Sequence, residues 1–328
     1  MNRRTFLGFG LGAAGTGLLA ACAGGAPVRA PASLSTAKAW DAAGFHAARR
    51  YLPSAFGEIA VVERGRGPAA LFLHGFPLNS FQWRGVMAAL EGERRCIAAD
   101  FLGLGYTRVA DGQSVAPAAQ VEMLAFVLDT LGVDSVDLVA NDSGGAVAQL
   151  FLLKYPQRVR SLLLTNCDVE PDSPPPALMP VIEAARRGRF AEDTFPPQLA
   201  DKNFARSAKG IGGQCYTYRY QPSDEAIDTY FTPLVESARR KRLTDAYALA
   251  LDPNPLAGIE AGLRRSRVPV RVVWGTGDDI FSPASPDYLD RVFPNSRGVR
   301  RVEGAKLFYP EEFPQLVAEE ASRLWESV

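Results

Sequence analysis

The chain has 328 residues, with 36 Lys and Arg balanced by 36 Asp and Glu, so its formal net charge is zero. That balance gives no electrostatic argument for a nucleic-acid partner. The length accommodates one large α/β domain carrying an insertion.

The amino terminus reads as an address. Arg3-Arg4-Thr5-Phe6-Leu7 precedes an apolar, Gly/Ala-rich run from Gly8 to Ala21 that closes on Leu19-Ala20-Ala21-Cys22. The paired arginines resemble a twin-arginine export signal, and the last four residues resemble a lipoprotein cleavage box with Cys22 as the lipidated first mature residue. The run is shorter than the roughly 20 apolar residues that a membrane span needs, which argues against an uncleaved anchor. Residues 1–21 are therefore expected to be a signal peptide. Residues 22–39, rich in Ala, Gly, Pro and Ser, are expected to be a flexible tether between the lipid and the folded domain. This reading makes the mature protein exported and held to the cell envelope through lipid on Cys22, with the membrane as a partner by that route alone. The remaining Cys96, Cys167 and Cys215 lack metal-ligand spacing, and no metal or cofactor is expected. Cys96 and Cys167 fall in buried strand patterns, while a Cys167–Cys215 bridge stays open as an alternative.

From Trp40 onward, strands and helices alternate. Ala47 to Ser54 and Gly57 to Arg64 read as two edge strands. Ala69 to Leu73 is a continuous apolar strand ending in His74-Gly75-Phe76-Pro77, and a helix starts in Phe81-Gln82-Trp83-Arg84. Cys96 to Ala99 is a further strand, and it runs into Asp100-Phe101-Leu102-Gly103-Leu104-Gly105-Tyr106-Thr107. Gln120 to Leu131 is an amphipathic helix, and Ser161 to Thr165, Val268 to Trp274 and Gly298 to Val302 supply more strands. The pattern predicts an α/β fold with a mostly parallel sheet covered on both faces.

The stretch from Val136 to Ala148 organises the rest. Val136 to Val139 form a buried strand, Gly144-Gly145 permit close backbone contact, and Ala146 opens a helix, which is the setting of a nucleophile elbow. Two registers fit the small-x-nucleophile-x-small pattern. Ala140-Asn141-Asp142-Ser143-Gly144 keeps small residues on both sides, whereas Asn141 to Gly145 puts Asn141 in a cramped slot, so Asp142 is assigned as the nucleophile. A carboxylate is ionised at neutral pH and attacks an sp³ carbon without a base to deprotonate it. The alternative is that Asp142 merely caps the helix that follows.

These motifs together resemble the α/β-hydrolase fold, and within it the group that includes haloalkane dehalogenases and epoxide hydrolases. The resemblance rests on His74-Gly75-Phe76-Pro77 with Trp83-Arg84, the Asp100 to Thr107 loop, Asn141 to Gly145, and Trp274-Gly275-Thr276-Gly277-Asp278. It implies a core of residues 40–167 and 268–328, with a cap of residues 168–267 that closes the site. It implies that the backbone N–H groups of Phe76 and Ser143 form the oxyanion hole and that Asp278 orients a catalytic histidine, with Asp279 beside it. Asp168 and Glu170, after the Ser161 to Thr165 strand, are a second location for that acid. Cap tyrosines donate protons in epoxide hydrolases, but packing is the favoured role for Tyr216, Tyr218, Tyr220 and Tyr230 here.

One position departs from the pattern. The histidine of this group follows the last strand, and in Glu303-Gly304-Ala305-Lys306-Leu307-Phe308 its place is taken by Leu307. The chain has 2 histidines, His46 and His74, and His74 is expected to pin its loop. Lys306, Glu303 or His74 would have to replace the missing base for an alkyl-ester intermediate to be hydrolysed. Halide chemistry is further disfavoured by Ser143 and Phe76, which stand where dehalogenases carry a Trp and a polar residue. The sequence thus predicts a hydrolase with an Asp nucleophile acting on a small apolar electrophile of epoxide or haloalkane type. A ligand-binding pseudoenzyme is the alternative, and an esterase using Ser143 is the weakest reading because no histidine serves it.

Overall fold

A computed structural model of the chain describes residues 40–327. The expected signal peptide, the lipidation site at Cys22 and the tether fall outside the described residues.

A nine-stranded sheet is the backbone of the molecule. Its strands are β1 (Arg49–Ser54), β2 (Gly57–Arg64), β3 (Ala69–Leu73), β4 (Arg95–Ala99), β5 (Arg108–Val109), β6 (Val136–Asp142), β7 (Val159–Cys167), β8 (Val270–Gly275) and β9 (Ser296–Val302). The order is β1-β2-β4-β3-β6-β7-β8-β9, with the short β5 beside β2. Pairings from β4 through β9 are parallel, and β1, β2 and β5 are antiparallel to their neighbours. Parallel strands covered on both faces read as unbroken apolar runs, and β3 and β6 are buried at every residue.

The expectation of two edge strands holds for β1 alone. β2 is interior, paired to β1 on one side and to β4 on the other. Its polar ends, Gly57-Glu58 and Glu63-Arg64, hide the buried centre Ile59 to Val62. The stretch before β1 is also not strand: Asp41 accepts from Gly44 N at 2.8 Å and caps α1 (Ala42–Ala47).

The covering helices include α2 (Arg84–Leu90), α3 (Pro117–Thr130) and α4 (Ser143–Lys154). Between β7 and β8 the chain is helical, with α5 (Met179–Arg186), α6 (Phe190–Ala200), α7 (Lys202–Arg206), α8 (Ile211–Cys215), α9 (Asp224–Val235), α10 (Ala238–Leu249) and α11 (Glu260–Leu263). The stretch from Ala226 to Arg240 is not one helix but most of α9 and the start of α10. Ser237 sits in extended backbone, accepts from Arg240 N and starts α10 as a new helix. Helices α12 (Ser285–Val292), α13 (Tyr309–Glu312) and α14 (Pro314–Trp325) complete the core. Cys96, Cys167 and Cys215 are free and buried, so the Cys167–Cys215 bridge is not formed.

One buried carboxylate ties α14 to the sheet. Glu320, with a side chain 1% exposed, faces Arg271 at 2.7 Å, Arg300 at 2.6 Å and Arg323 at 2.9 Å. Burial alone would raise its pKa, but the arginines outweigh that and lower it.

Candidate active site

Strand β6 delivers Asp142 to the end of the sheet, and the chain turns there into α4. Asp142 has φ 56° and ψ −134°, the one non-glycine residue with positive φ among the described residues. Such a backbone costs about 1–3 kcal/mol, which the surrounding contacts must over-determine. Small residues make the turn fit. A Cβ on Gly75 would lie 2.6 Å from the Cβ of Asp142, and one on Gly144 would lie 2.5 Å from the carbonyl oxygen of His74. These contacts match the register with Asp142 at the apex of the turn.

The Asp142 carboxylate is held by the backbone donors named in the sequence reading. Its Oδ1 accepts from Phe76 N at 2.7 Å and from Ser143 N at 2.6 Å. The second bond also caps α4, so capping and orientation are one arrangement and not rival roles. Burial pushes the Asp142 pKa up to about 6; the two N–H donors oppose this, and Asp278 reinforces it.

A chain of buried amides links the loops around this turn. Gly75 N donates to Gln82 Oε1 at 3.0 Å, and Gln82 Nε2 donates to Asn141 Oδ1 at 2.7 Å. Asn141 Nδ2 donates to the carbonyls of Asn166 at 3.0 Å and Leu307 at 3.1 Å, and Asn166 Nδ2 donates to Asp278 Oδ2 at 2.8 Å. No local spacing in the sequence signals the link from Gln82 to Asn141, which lies 59 residues on. Gln82→Leu leaves Gly75 N and Asn141 Oδ1 buried without partners, at about 1–3 kcal/mol each. Urea unfolding is expected to show a loss of about 2–5 kcal/mol, and an unchanged midpoint would contradict the role assigned to this chain.

A cavity of about 360 Å³ opens in front of Asp142. Its wall is largely apolar, including Phe76, Phe190, Phe195, Ile280 and Leu307; Asp142, Ser143 and Asp168 supply polar groups, as do Thr194, Gln198, Lys209 and Gln214. Leu307 occupies the place expected for a histidine and presents its buried side chain to the cavity.

The candidates for a replacement base lie elsewhere. Both nitrogens of His74 are engaged: Nδ1–H donates to the Gly75 carbonyl at 3.0 Å and Nε2 accepts from Phe101 N at 3.0 Å. Burial lowers its pKa against the pull of Asp100, so the ring is neutral and pins two loops together. Lys306 donates from Nζ to the Gly213 carbonyl at 2.6 Å and is not on the cavity wall. Glu303 is exposed. His46 faces Arg49 at the amino-terminal helix. The structure brings none of these to Asp142.

Asp278 has its carboxylate fixed by Asn166 and by Ile280 N at 2.9 Å, and burial raises its pKa to about 6. Of the two residues at the second acid location, Glu170 accepts from Gly258 N and Glu260 N and is bound up in loop structure. Asp168 lines the cavity, and its Oδ1 accepts from Ser173 Oγ at 2.9 Å. Burial first, then the neighbouring Asp142, pushes its pKa up to about 8. A carboxyl raised in the folded state contributes its full stability below its unfolded pKa near 4 and loses it as pH rises toward 8. Asp168→Asn is therefore expected to stabilise the protein at pH 8 by on the order of a few kcal/mol and to have little effect at pH 4. Melting curves at the two pH values read this, and equal shifts at both would contradict it.

The four tyrosines expected in a cap divide. Tyr216 and Tyr230 donate to Glu311 Oε2 at 2.6 and 2.9 Å, and Glu311 pairs with Arg84 at 2.8 Å, which latches the helical segment to the core. Tyr218 and Tyr220 are exposed and stacked on each other at 5.3 Å. None of the four lines the cavity. Tyr247 on α10 approaches the site instead. Its hydroxyl lies 3.0 Å from Ser143 Oγ, and its ring stacks on Phe76 with centroids 5.3 Å apart. The sequence signal for it is the buried stripe Thr244, Tyr247, Ala248 at helical spacing, which marks a packed face but not what it faces.

The family model of the alpha/beta hydrolase fold matches residues 68–313. The chain belongs to the α/β-hydrolase family. Haloalkane dehalogenase 2 of Mycobacterium tuberculosis is 25% identical over 285 residues, covering 82% of this chain and 92% of that protein. Epoxide hydrolase 2 of Siraitia grosvenorii is 41% identical over 105 residues, 31% of this chain and 33% of that one. Among solved structures, the epoxide hydrolase CorEH superposes with a TM-score of 0.71 at 19% identity, covering 85% of this chain and 98% of its own. Haloalkane dehalogenases and epoxide hydrolases are thus among the proteins this family member is similar to.

Proposed function

We propose that this α/β-hydrolase uses Asp142 as a nucleophile on a small apolar electrophile, with epoxides favoured over haloalkanes. The observation that carries the reading is the Asp142 carboxylate, strained at the elbow, gripped by Phe76 N and Ser143 N, and open to a mostly apolar cavity. One carboxylate oxygen attacks carbon to give an alkyl ester. The two N–H donors then hold the oxyanion that forms when water adds to the ester carbonyl. Epoxides are favoured because Ser143 and Phe76 stand at the positions where a dehalogenase holds the leaving halide, and no tryptophan lines the cavity among the described residues.

Leu307 in place of histidine makes the second half-reaction slow by about 10²–10⁴-fold. The ester is expected to accumulate. Intact-mass measurement of the protein incubated with 1,2-epoxyhexane or 1-bromohexane tests this: an increase of one substrate per chain, larger with the epoxide, is the expected result. Absence of both adduct and product would favour the second reading, a ligand-binding pseudoenzyme, for which Leu307 and the fully engaged His74 are the motivating observations.

We also place the mature protein on the envelope, held by lipid on Cys22, on the strength of Arg3-Arg4 and Leu19 to Cys22. Cys22→Ala is expected to abolish fatty-acid labelling and release the protein from the membrane fraction. Unchanged labelling would remove the proposal.

A further inference from the structure

With histidine absent, the cavity still needs a group that gives a proton to an opening ring and later takes one from water. The walls hold few candidates. Asp142 is the attacking group, Lys209 is exposed to solvent, Asp278 is not on the wall, and Cys215 is a lone buried thiol. Asp168 remains. It follows directly on Cys167, which is register partner to Asp142 across the β6/β7 pairing, so the two carboxyls leave adjacent strands side by side into one cavity.

Asp168 is held as a reacting group would be. It is 3% exposed, its backbone carbonyl accepts from Gln149 Nε2 of α4 at 2.9 Å, and its carboxyl takes one hydrogen bond, from Ser173 Oγ. Among the described residues no lysine, arginine or histidine forms an ion pair with it. The titratable groups facing it are Asp142, Asp172, Cys167 and Tyr247, none of them a cation at neutral pH. A buried carboxyl with no cation, beside a second carboxylate, carries a proton that it can give away.

We propose that Asp168 is the catalytic proton carrier of this site, acting as acid on the epoxide oxygen and then as base toward water; the proposal rests on Asp142 being the nucleophile. In the first step an Asp142 oxygen bonds to a ring carbon, the ring C–O bond breaks, and the Asp168 proton passes to the alkoxide. In the second, Asp168 takes a proton from water as its hydroxide adds to the Asp142 carbonyl carbon, and the oxyanion rests on Phe76 N and Ser143 N. Collapse then breaks the bond to the alkyl oxygen, which takes the proton left on the Asp142 carboxyl. The sum is epoxide plus water to diol, with Asp142 ionised and Asp168 protonated as at the start.

The raised pKa of Asp168 fits both duties, since the group is mostly protonated at neutral pH and ionises within reach of it. The test is single-turnover hydrolysis of the 1,2-epoxyhexane adduct on the purified full-length protein, followed by intact mass between pH 5 and 9. The wild-type rate is expected to rise with pH along a limb set by Asp168. Asp168→Asn should lower the rate by about 10²-fold and flatten that limb. Ser173→Ala removes the hydroxyl that favours the ionised carboxyl and should move the limb to higher pH, a change that a merely structural Asp168 would not cause. An adduct that Asp168→Asn hydrolyses at the wild-type rate with the same profile, or a limb that Ser173→Ala leaves in place, overturns the proposal. If the wild type forms no adduct at all, the Asp142 reading fails and this one with it, an outcome distinct from the other two.

Discussion

Leu307→His is expected to accelerate ester hydrolysis by about 10²-fold while leaving adduct formation nearly unchanged. Leu307 presents its side chain to the cavity that holds Asp142, and its backbone carbonyl is fixed by Asn141, which also binds the Asn166 carbonyl. Asn166 in turn binds Asp278, so the histidine would enter a loop already tied to a buried carboxylate able to orient it. The hydrophobic surface lost is partly returned by the imidazole ring, which keeps the change from emptying the cavity. Burst kinetics with 1,2-epoxyhexane separate the two steps: a steeper steady state at equal burst amplitude is expected. An unchanged steady state would mean either that Leu307 is not the vacated base position or that hydrolysis was never limiting.

Asp142→Asn is expected to abolish the adduct and turnover, a loss of about 10⁴-fold or more, and at the same time to stabilise the fold. The amide keeps an oxygen to accept from Phe76 N and Ser143 N and keeps the shape of the turn, but it has no charge to bury and attacks carbon poorly. Because burial holds the Asp142 pKa near 6, the folded protein loses stability as pH rises from about 4 through 6, and the asparagine variant escapes that loss. At pH 8 the gain is expected to be about 1–3 kcal/mol, and at pH 4 close to zero. Stability and activity therefore pull in opposite directions at this residue, as the strained backbone there also suggests. A variant that is inactive and also less stable at pH 8 would indicate that the carboxylate is structural.

How much of this was legible in the sequence depends on the range of the contacts involved. The sheet was readable because β3 and the centres of β6 (Leu138 to Ala140) and β7 (Leu162 to Leu164) are apolar runs, and the elbow because a strand, a small-residue turn and a helix stand next to one another. The interior position of β2 was not, because its charged ends imitate an edge and only the pairing to β4 reveals otherwise. The contacts made by Gln82 and Tyr247 escaped notice for a related reason. Their partners Asn141 and Ser143 are 59 and 104 residues away, and no local spacing encodes such a contact. The choice among replacement bases turned on side-chain direction: Lys306 neighbours Leu307 in sequence yet reaches Gly213, whereas Asp168, read only as a second acid location, lines the cavity.

The most direct measurement of the central claim is the fate of oxygen in a single turnover. With enzyme in excess over 1,2-epoxyhexane in H₂¹⁸O, an Asp142 nucleophile retains one solvent oxygen, because water attacks the carboxyl carbon of the ester and not the substrate. Peptide mass spectrometry is expected to find the label on the segment containing Asp142 and unlabelled diol as the first product. Label in the diol, with none on Asp142, would contradict attack by the carboxylate.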